Sequence, residues 1–366
     1  MAPSTARDRE GRMRVLYDYQ AFMQRRGGVS RYFAELIDAM SRMEGFETSL
    51  PPIFSDNEYL AGRKTLLTRG SFRGKVRIMT ALNQVFAARA LRGDFDVFHP
   101  TYYRPYFLKS LKRPFVVTVH DMIHELFPAY VRDDGTAANK RLLCRHASRI
   151  IAVSDNTRND LCRLLAVPPE KVTVIHHATS LRYDDSPRLV ERPYILYVGE
   201  RSGYKNFAAL LEAAPLLLPR HGVDLVCAGG GDFSRAEMET MKMHRIADRV
   251  RHFEGPTAPQ LASLYHFASL FVYPSLYEGF GFPLLEAFSC GCPVAASRSS
   301  SIPEVVGPAA ELFDPGSIES VAAAIGRVLD SPSRSAELAQ AGITRLRSFS
   351  WKNSAQKTLD VYRAVS

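Results

Sequence analysis

The chain has 366 residues, 46% hydrophobic and 23% charged, proportions that suit a soluble globular protein of two or three domains and exclude a disordered or collagenous one. No apolar run approaches the roughly 18 residues a spanning helix needs. The opening stretch MAPSTARDREGRMR carries charge where a signal peptide would be apolar, so a cytoplasmic protein, or one peripheral at a membrane surface, is expected. The net charge is +9, but no nucleic-acid recognition motif accompanies it, so nucleic acid is not the expected partner. Five cysteines without a C-x-x-C pair read as reduced thiols.

In chain order, 13–19 reads as a strand and 29–40 as a helix. Between Tyr59 and Gly93 lie Arg63, Lys64, Arg69, Arg73, Lys75, Arg77, Arg89 and Arg92, with no acid and with apolar residues between them. That pattern suits an anionic membrane surface or a polyanionic ligand, or equally a solvated helical face. Strands follow at 95–100, 114–121, 149–154 and 171–177, with a helix after Ser154. The polar stretch 178–193 reads as a linker, after which the alternation restarts. Strands are expected at 194–200, 223–231, 269–275 and 292–297. Helices are expected at 206–218, 261–268, 282–289 and 317–330, and a helical region at 334–365. Alternation of this kind predicts an α/β fold of two Rossmann-like halves with parallel sheets.

Ligands of such sheets collect beyond the carboxyl ends of the strands. After the first strand, Gly27 and Gly28 open a helix whose amides would suit an anion. His120 and Asp121 end another strand, as a ligand pair or a capped turn. Glu200, Arg201 and Lys205 follow Gly199 at a strand-to-helix turn, where two cations would clamp a diphosphate. Gly229, Gly230 and Gly231 form a turn that only superficially resembles a dinucleotide fingerprint, because Ser234 stands where the last glycine belongs. In SLYEGFGFPLLEAFSCGCPV, Ser275 to Val294, Gly279 and Gly281 would let backbone approach a ligand. Glu278 and Glu286 can point into one cleft and accept from hydroxyl groups.

This last block, with seven residues between its glutamates, resembles the signature of glycosyltransferase family 4, retaining enzymes of the GT-B fold. The Gly-Gly loop, VVTVHD, AVS, YVGERSGYKNF, AGGGD and SIPEV stand in the family's order, so the resemblance covers nearly the whole chain. It implies that Glu286 holds the nucleotide ribose and that Arg201 and Lys205 neutralise the diphosphate. Glu278, with the backbone of Phe280 to Phe282, would orient the donor sugar. Gly27, Gly28, Gly199, Gly230, Gly279 and Gly281 would line the donor, and His120 would stand beside the sugar. Ser154 and Asp121 would line the acceptor side, with helix capping the alternative for Ser154. The family's arginine usually follows the glycine directly, whereas here Glu200 intervenes.

GGVSRYFAEL and the tyrosine before KNF look most like bacterial mannosyl- and rhamnosyltransferases of surface polysaccharides such as the O-antigen of lipopolysaccharide. The expectation is therefore a metal-independent enzyme without a cofactor, using GDP-mannose on a glycan or a polyprenyl-diphosphate-linked acceptor. A UDP-sugar or GDP-rhamnose donor is the alternative within that chemistry. The one D-x-D pair, Asp94 and Asp96, precedes a strand and reads as a turn. The expected organisation is an acceptor domain over 1–185, a nucleotide-sugar domain over 186–349 and a terminal helix over 350–366 that packs back on the first domain. A nicotinamide-dependent oxidoreductase and a catalytically silent glycan-binding protein remain the rival classes.

Overall fold

A computed structural model describes residues 12–60, 65–66, 74–201 and 203–366, the side chains of 65 and 66 excepted. Arg63, Lys64, Arg69 and Arg73 of the basic segment lie outside them. The first lobe runs β1 (Met13–Tyr17), α1 (Gly28–Ser41), β2 (Phe46–Ser49), the short β3 (Ile53–Phe54) and β4 (Thr65–Leu66), α2 (Lys75–Ala90), β5 (Val97–His99), β6 (Val116–Val119), α3 (Ile123–Leu126), α4 (Thr136–His146), β7 (Arg149–Ala152), α5 (Asp155–Leu165) and β8 (Val172–Val174). Its parallel strands lie in the order β2-β1-β5, continued through one bridge between Phe98 and Phe115 to β6-β7-β8.

The second lobe runs β9 (Tyr194–Val198), α6 (Phe207–His221), β10 (Asp224–Ala228), α7 (Arg235–Met243), β11 (Val250–Phe253), α8 (Ala258–His266), β12 (Leu270–Tyr273), α9 (Phe282–Ser289), β13 (Val294–Ser297), α10 (Ile302–Val306), β14 (Glu311–Phe313), α11 (Ile318–Leu329) and α12 (Pro332–Leu346). Its six strands are all parallel in the order β11-β10-β9-β12-β13-β14. The crossover between β9 and β12 is the doubly wound switch point, where a ligand crevice is expected.

Both faces of this sheet are buried, which explains its continuous apolar runs. Leu196, Val226 and Phe271 face α8 and α9. Ile195, Leu225 and Val272 face α6 and α11. The final helix, α13 (Trp351–Arg363), restarts where Ser350 caps it by accepting from Asn353 N–H at 3.3 Å. It then packs on α1 of the first lobe, where Ala355, Leu359 and Tyr362 join the core with Tyr17 and Leu36. Tyr362 and Tyr17 share a buried hydroxyl hydrogen bond of 2.8 Å.

Candidate active site

The carboxyl ends of both sheets face each other across a cavity of about 1220 Å³. Gly27, Gly28, Arg31, His120, Asp121 and His177 form its first-lobe wall. Gly199, Lys205, Gly230, Glu278 to Phe282 and Glu286 form the opposite wall. The expected site residues thus converge, with two exceptions described below.

Lys205 Nζ donates to Glu278 Oε1 at 2.8 Å and lies 5.3 and 5.8 Å from the ring centroids of Tyr204 and Tyr273. Glu278 is pinned further by its own N–H, which donates to Ser300 Oγ at 2.8 Å. Glu286, on α9, is buried and accepts from Tyr265 OH at 3.0 Å and from the Arg31 guanidinium across the cleft. At the cavity mouth Arg26 crosses the same way, donating from Nη1 to Gly255 O at 2.8 Å.

Gly281 begins α9 at φ +107°, a left-handed position that glycine adopts without strain. Gly279 lines the cavity and serves a second purpose as well. A Cβ there would lie 1.6 Å from the His120 carbonyl oxygen, so the missing side chain lets the two lobes meet. Its own carbonyl accepts from Ser154 Oγ at 2.7 Å and Thr157 Oγ1 at 3.2 Å in the first lobe.

Two histidines stand against this contact. His120 is buried and its backbone N–H donates to Tyr103 OH at 3.1 Å. Burial pushes its imidazole pKa down to about 4, so it is neutral at pH 7; Asp121 opposes that shift and Lys140 adds to it. His177 is held well below the usual range by burial, then by His120 and His176. Its ring stacks on Phe282 at 4.4 Å and lies 4.7 Å from Phe280. Neither ring nitrogen of His177, nor Nε2 of His120, has a hydrogen-bond partner among the described residues.

Comparisons with known proteins match this architecture. The family models for glycosyl transferases group 1 and glycosyltransferase family 4 match residues 183–345 and 26–183 respectively. O-antigen chain mannosyltransferase B of Escherichia coli is 30% identical over 311 residues, covering 79% of each chain. This chain belongs to glycosyltransferase family 4. The MMP alpha-(1->4)-mannosyltransferase of Mycolicibacterium hassiacum is 29% identical, covering 75% of this chain and 73% of the relative. Among solved structures, Anabaena HepE in complex with UDP-glucose superposes with a TM-score of 0.74 at 17% identity, covering 96% of this chain and all of the other. The fold is GT-B and the protein is a glycosyltransferase, which sets aside the oxidoreductase alternative.

Two expected site residues lie elsewhere in this glycosyltransferase. Arg201 does not line the interlobe cavity. With Glu200 interposed, its guanidinium turns beneath the glycine turn, donating to Gly229 O at 3.1 Å and Asp232 O at 2.9 Å and pairing with Glu237 at 3.2 Å. A Cβ on Gly230 would lie 2.9 Å from its Nη1, so arginine and glycine fit each other. The expected two-cation clamp is thereby reduced to Lys205. Ser154 is fully buried and caps α5, accepting from Thr157 N–H at 3.0 Å while it holds Gly279 O. It supports the lobe contact and has no surface left for an acceptor. Asp121 does line the cavity, and its Oδ1 accepts from Ile123 N–H at 3.0 Å.

Sequence reasoning assigned no role to Arg31, His177, Arg26 or Tyr265. His177 follows β8 by the same strand-end rule that singled out His120. Arg31 lies one helical turn beyond Gly28 on the same face. Asp155, His176 and Glu304 also cluster, with ligand-type atoms within 4.8 Å of one another. The Glu304 oxygens there accept from Asp155 N–H at 2.8 Å, Asn156 N–H at 3.2 Å and His176 Nε2 at 2.7 Å, so this second-lobe glutamate caps a first-lobe helix. Asp94 and Asp96 sit at the amino edge of the first sheet, both paired with Arg14.

Proposed function

We propose that this enzyme is a retaining, metal-independent mannosyltransferase. It takes mannose from GDP-mannose and passes it to a glycan or polyprenyl-diphosphate-linked acceptor of a bacterial surface polysaccharide. The observation that carries this reading is the meeting of Glu278, Lys205, Glu286 and the α1 N-terminus at one cavity between the lobes. Mannose is favoured by the names of the two relatives above. Independence from metal is favoured by the engagement of Asp94 and Asp96 with Arg14, remote from the cavity.

In this mechanism Glu286 accepts hydrogen bonds from the ribose hydroxyls. Lys205 and the first amides of α1 meet the charge that grows on the leaving diphosphate. The sugar C1–O bond breaks, the acceptor hydroxyl attacks from the same face, and the departing phosphate oxygen takes its proton. Retention follows without a covalent intermediate. Glu278, already paired with Lys205, aligns the sugar. Neutral His120 offers its ring to a sugar hydroxyl. The closed lobes exclude the water that would hydrolyse the donor.

The acceptor's membrane is met by α2 at the inner face of the plasma membrane. Val76 and Val85 on that helix are 64% and 66% exposed, Ile78 and Leu82 are also exposed, Arg77 and Arg89 lie on the same helix, and Arg92 follows just past its end. Arg77→Glu with Arg89→Glu should release the protein from anionic vesicles; unchanged flotation would remove the membrane from this reading. A thermal-shift panel of GDP-, UDP- and TDP-sugars tests the donor, since a ligand of the folded state raises Tm. GDP-mannose should give the largest shift, and a larger shift with a UDP-sugar would replace the donor. Slow GDP release from GDP-mannose, abolished in Glu286→Ala, decides for catalysis against a silent glycan binder.

A further inference from the structure

Arg31 lies one turn into α1 of the first lobe, yet it donates to Glu286 of the second. Its Nη2 also donates to Thr179 Oγ1, in the segment joining the lobes, at 3.3 Å, and its guanidinium stands 5.6 Å from the Phe282 ring centroid. The arginine side chain is 15% exposed and the glutamate 5%, and both line the cavity.

The two carboxylate oxygens of Glu286 are engaged by different donors, Oε1 by Arg31 and Oε2 by Tyr265 OH. An ionised carboxylate has about four acceptor sites, so roughly one on each oxygen stays open. Two open acceptor sites on one fixed carboxylate plane are the complement of a vicinal diol. A carboxylate held by Tyr265 alone would be free to rotate about its last bond, and the match to a diol would be lost. Because the guanidinium comes from the opposite lobe, the plane is fixed only while the lobes are together.

We propose that Arg31 is a positioning residue for the ribose of the donor: it orients the Glu286 carboxylate across the cleft, and so couples recognition of the ribose diol to lobe closure. This rests on the proposed nucleotide-sugar function.

The test is isothermal titration calorimetry of GDP, UDP and their 2′-deoxy forms against the wild-type protein, Arg31→Gln and Arg31→Lys. The wild type should prefer the ribonucleotide by about tenfold or more, the range of a hydrogen bond to a charged group. Arg31→Gln should weaken the ribonucleotide to about the affinity of the deoxy form, erasing the preference, and Arg31→Lys should restore part of it. If Arg31→Gln keeps the wild-type ratio, whether or not both affinities fall together, the assignment is wrong. If the wild type binds neither GDP nor UDP, the proposed function falls and this inference with it.

Discussion

The two lobes differ in how much of the cavity wall each draws from one run of sequence. The second lobe brings the run 278–283 and Glu286, placed by the end of β12 and the start of α9, to a wall completed by the turns at 198–200, 228–231 and 254–259. The first lobe sets a shorter run, 26–29, with Arg31 at the start of α1, and adds residues from other strand ends, His120 after β6 and His177 after β8. A contiguous run can be shaped by local backbone geometry alone. Scattered residues depend on the sheet to bring them together and on the other lobe to complete them.

The contact that joins the halves is also the easiest place to break the comparison. Gly279→Ala drives a Cβ into the His120 carbonyl. Transfer should fall about a hundredfold or more, the effect of misplacing a catalytic group by about 1 Å. Each lobe should keep its own melting transition. Near-normal activity would show that the lobes need not meet at this point.

Next in size is Lys205→Met, which removes the cation at the second-lobe wall. By analogy with the loss of an oxyanion-hole donor, kcat should drop about 10²- to 10³-fold, about 2.7–4 kcal/mol of barrier. Arg201→Lys should lower thermal stability and leave kcat far less affected, because Arg201 ties the glycine turn and does not face the cavity. Equal losses in kcat would restore Arg201 to the diphosphate clamp.

Acid should separate the lobes by stability. His99 and His120 are held down to about 3 and about 4 from 6.5, each chiefly by burial, and His177 well below 6.5. All three belong to the first lobe. Above pH 6.5 they are neutral whether folded or unfolded and cost nothing. As pH falls below 6.5 the unfolded chain takes up protons that the folded lobe refuses. Stability is then lost at ~1.4 kcal/mol per pH unit per histidine until each folded pKa is reached. Circular dichroism with lobe-specific fluorescence should show the first lobe melting ahead of the second near pH 4.5. Simultaneous loss would contradict the assignment of these histidines as buried and neutral.

The smallest effect is expected from Ser154→Ala, at about 1 kcal/mol of stability for a lost helix cap. Donor KM should hold, since Ser154 does not reach the cavity.

The two-lobed α/β fold was legible because parallel strands buried on both faces leave apolar runs such as YILYV and LFVY. The edge strands β2, β11 and β14 escaped notice. Their sequences FETS, VRHF and ELF interleave polar residues that an edge can expose, so no run marks them. Glu278, Glu286, Gly279 and Gly281 could be picked out from their spacing in one block. What Gly279 is needed for could not, because the atom it makes room for lies about 160 residues away, at His120. The opposite error arose at Arg201. Local sequence placed it at a strand end, and only side-chain direction shows that it turns under a loop; at Ser154 the sequence offered helix capping beside the acceptor side, and the structure has the cap. Arg31 was invisible for a related reason, since its partner Glu286 lies 255 residues away.

Hydrogen exchange with and without GDP-mannose addresses both walls at once. Binding between the lobes should slow exchange together at 27–31 in the first lobe and at 199–205 and 278–286 in the second. Protection confined to one lobe, with the facing amides unchanged, would show that the sugar nucleotide does not lie between them.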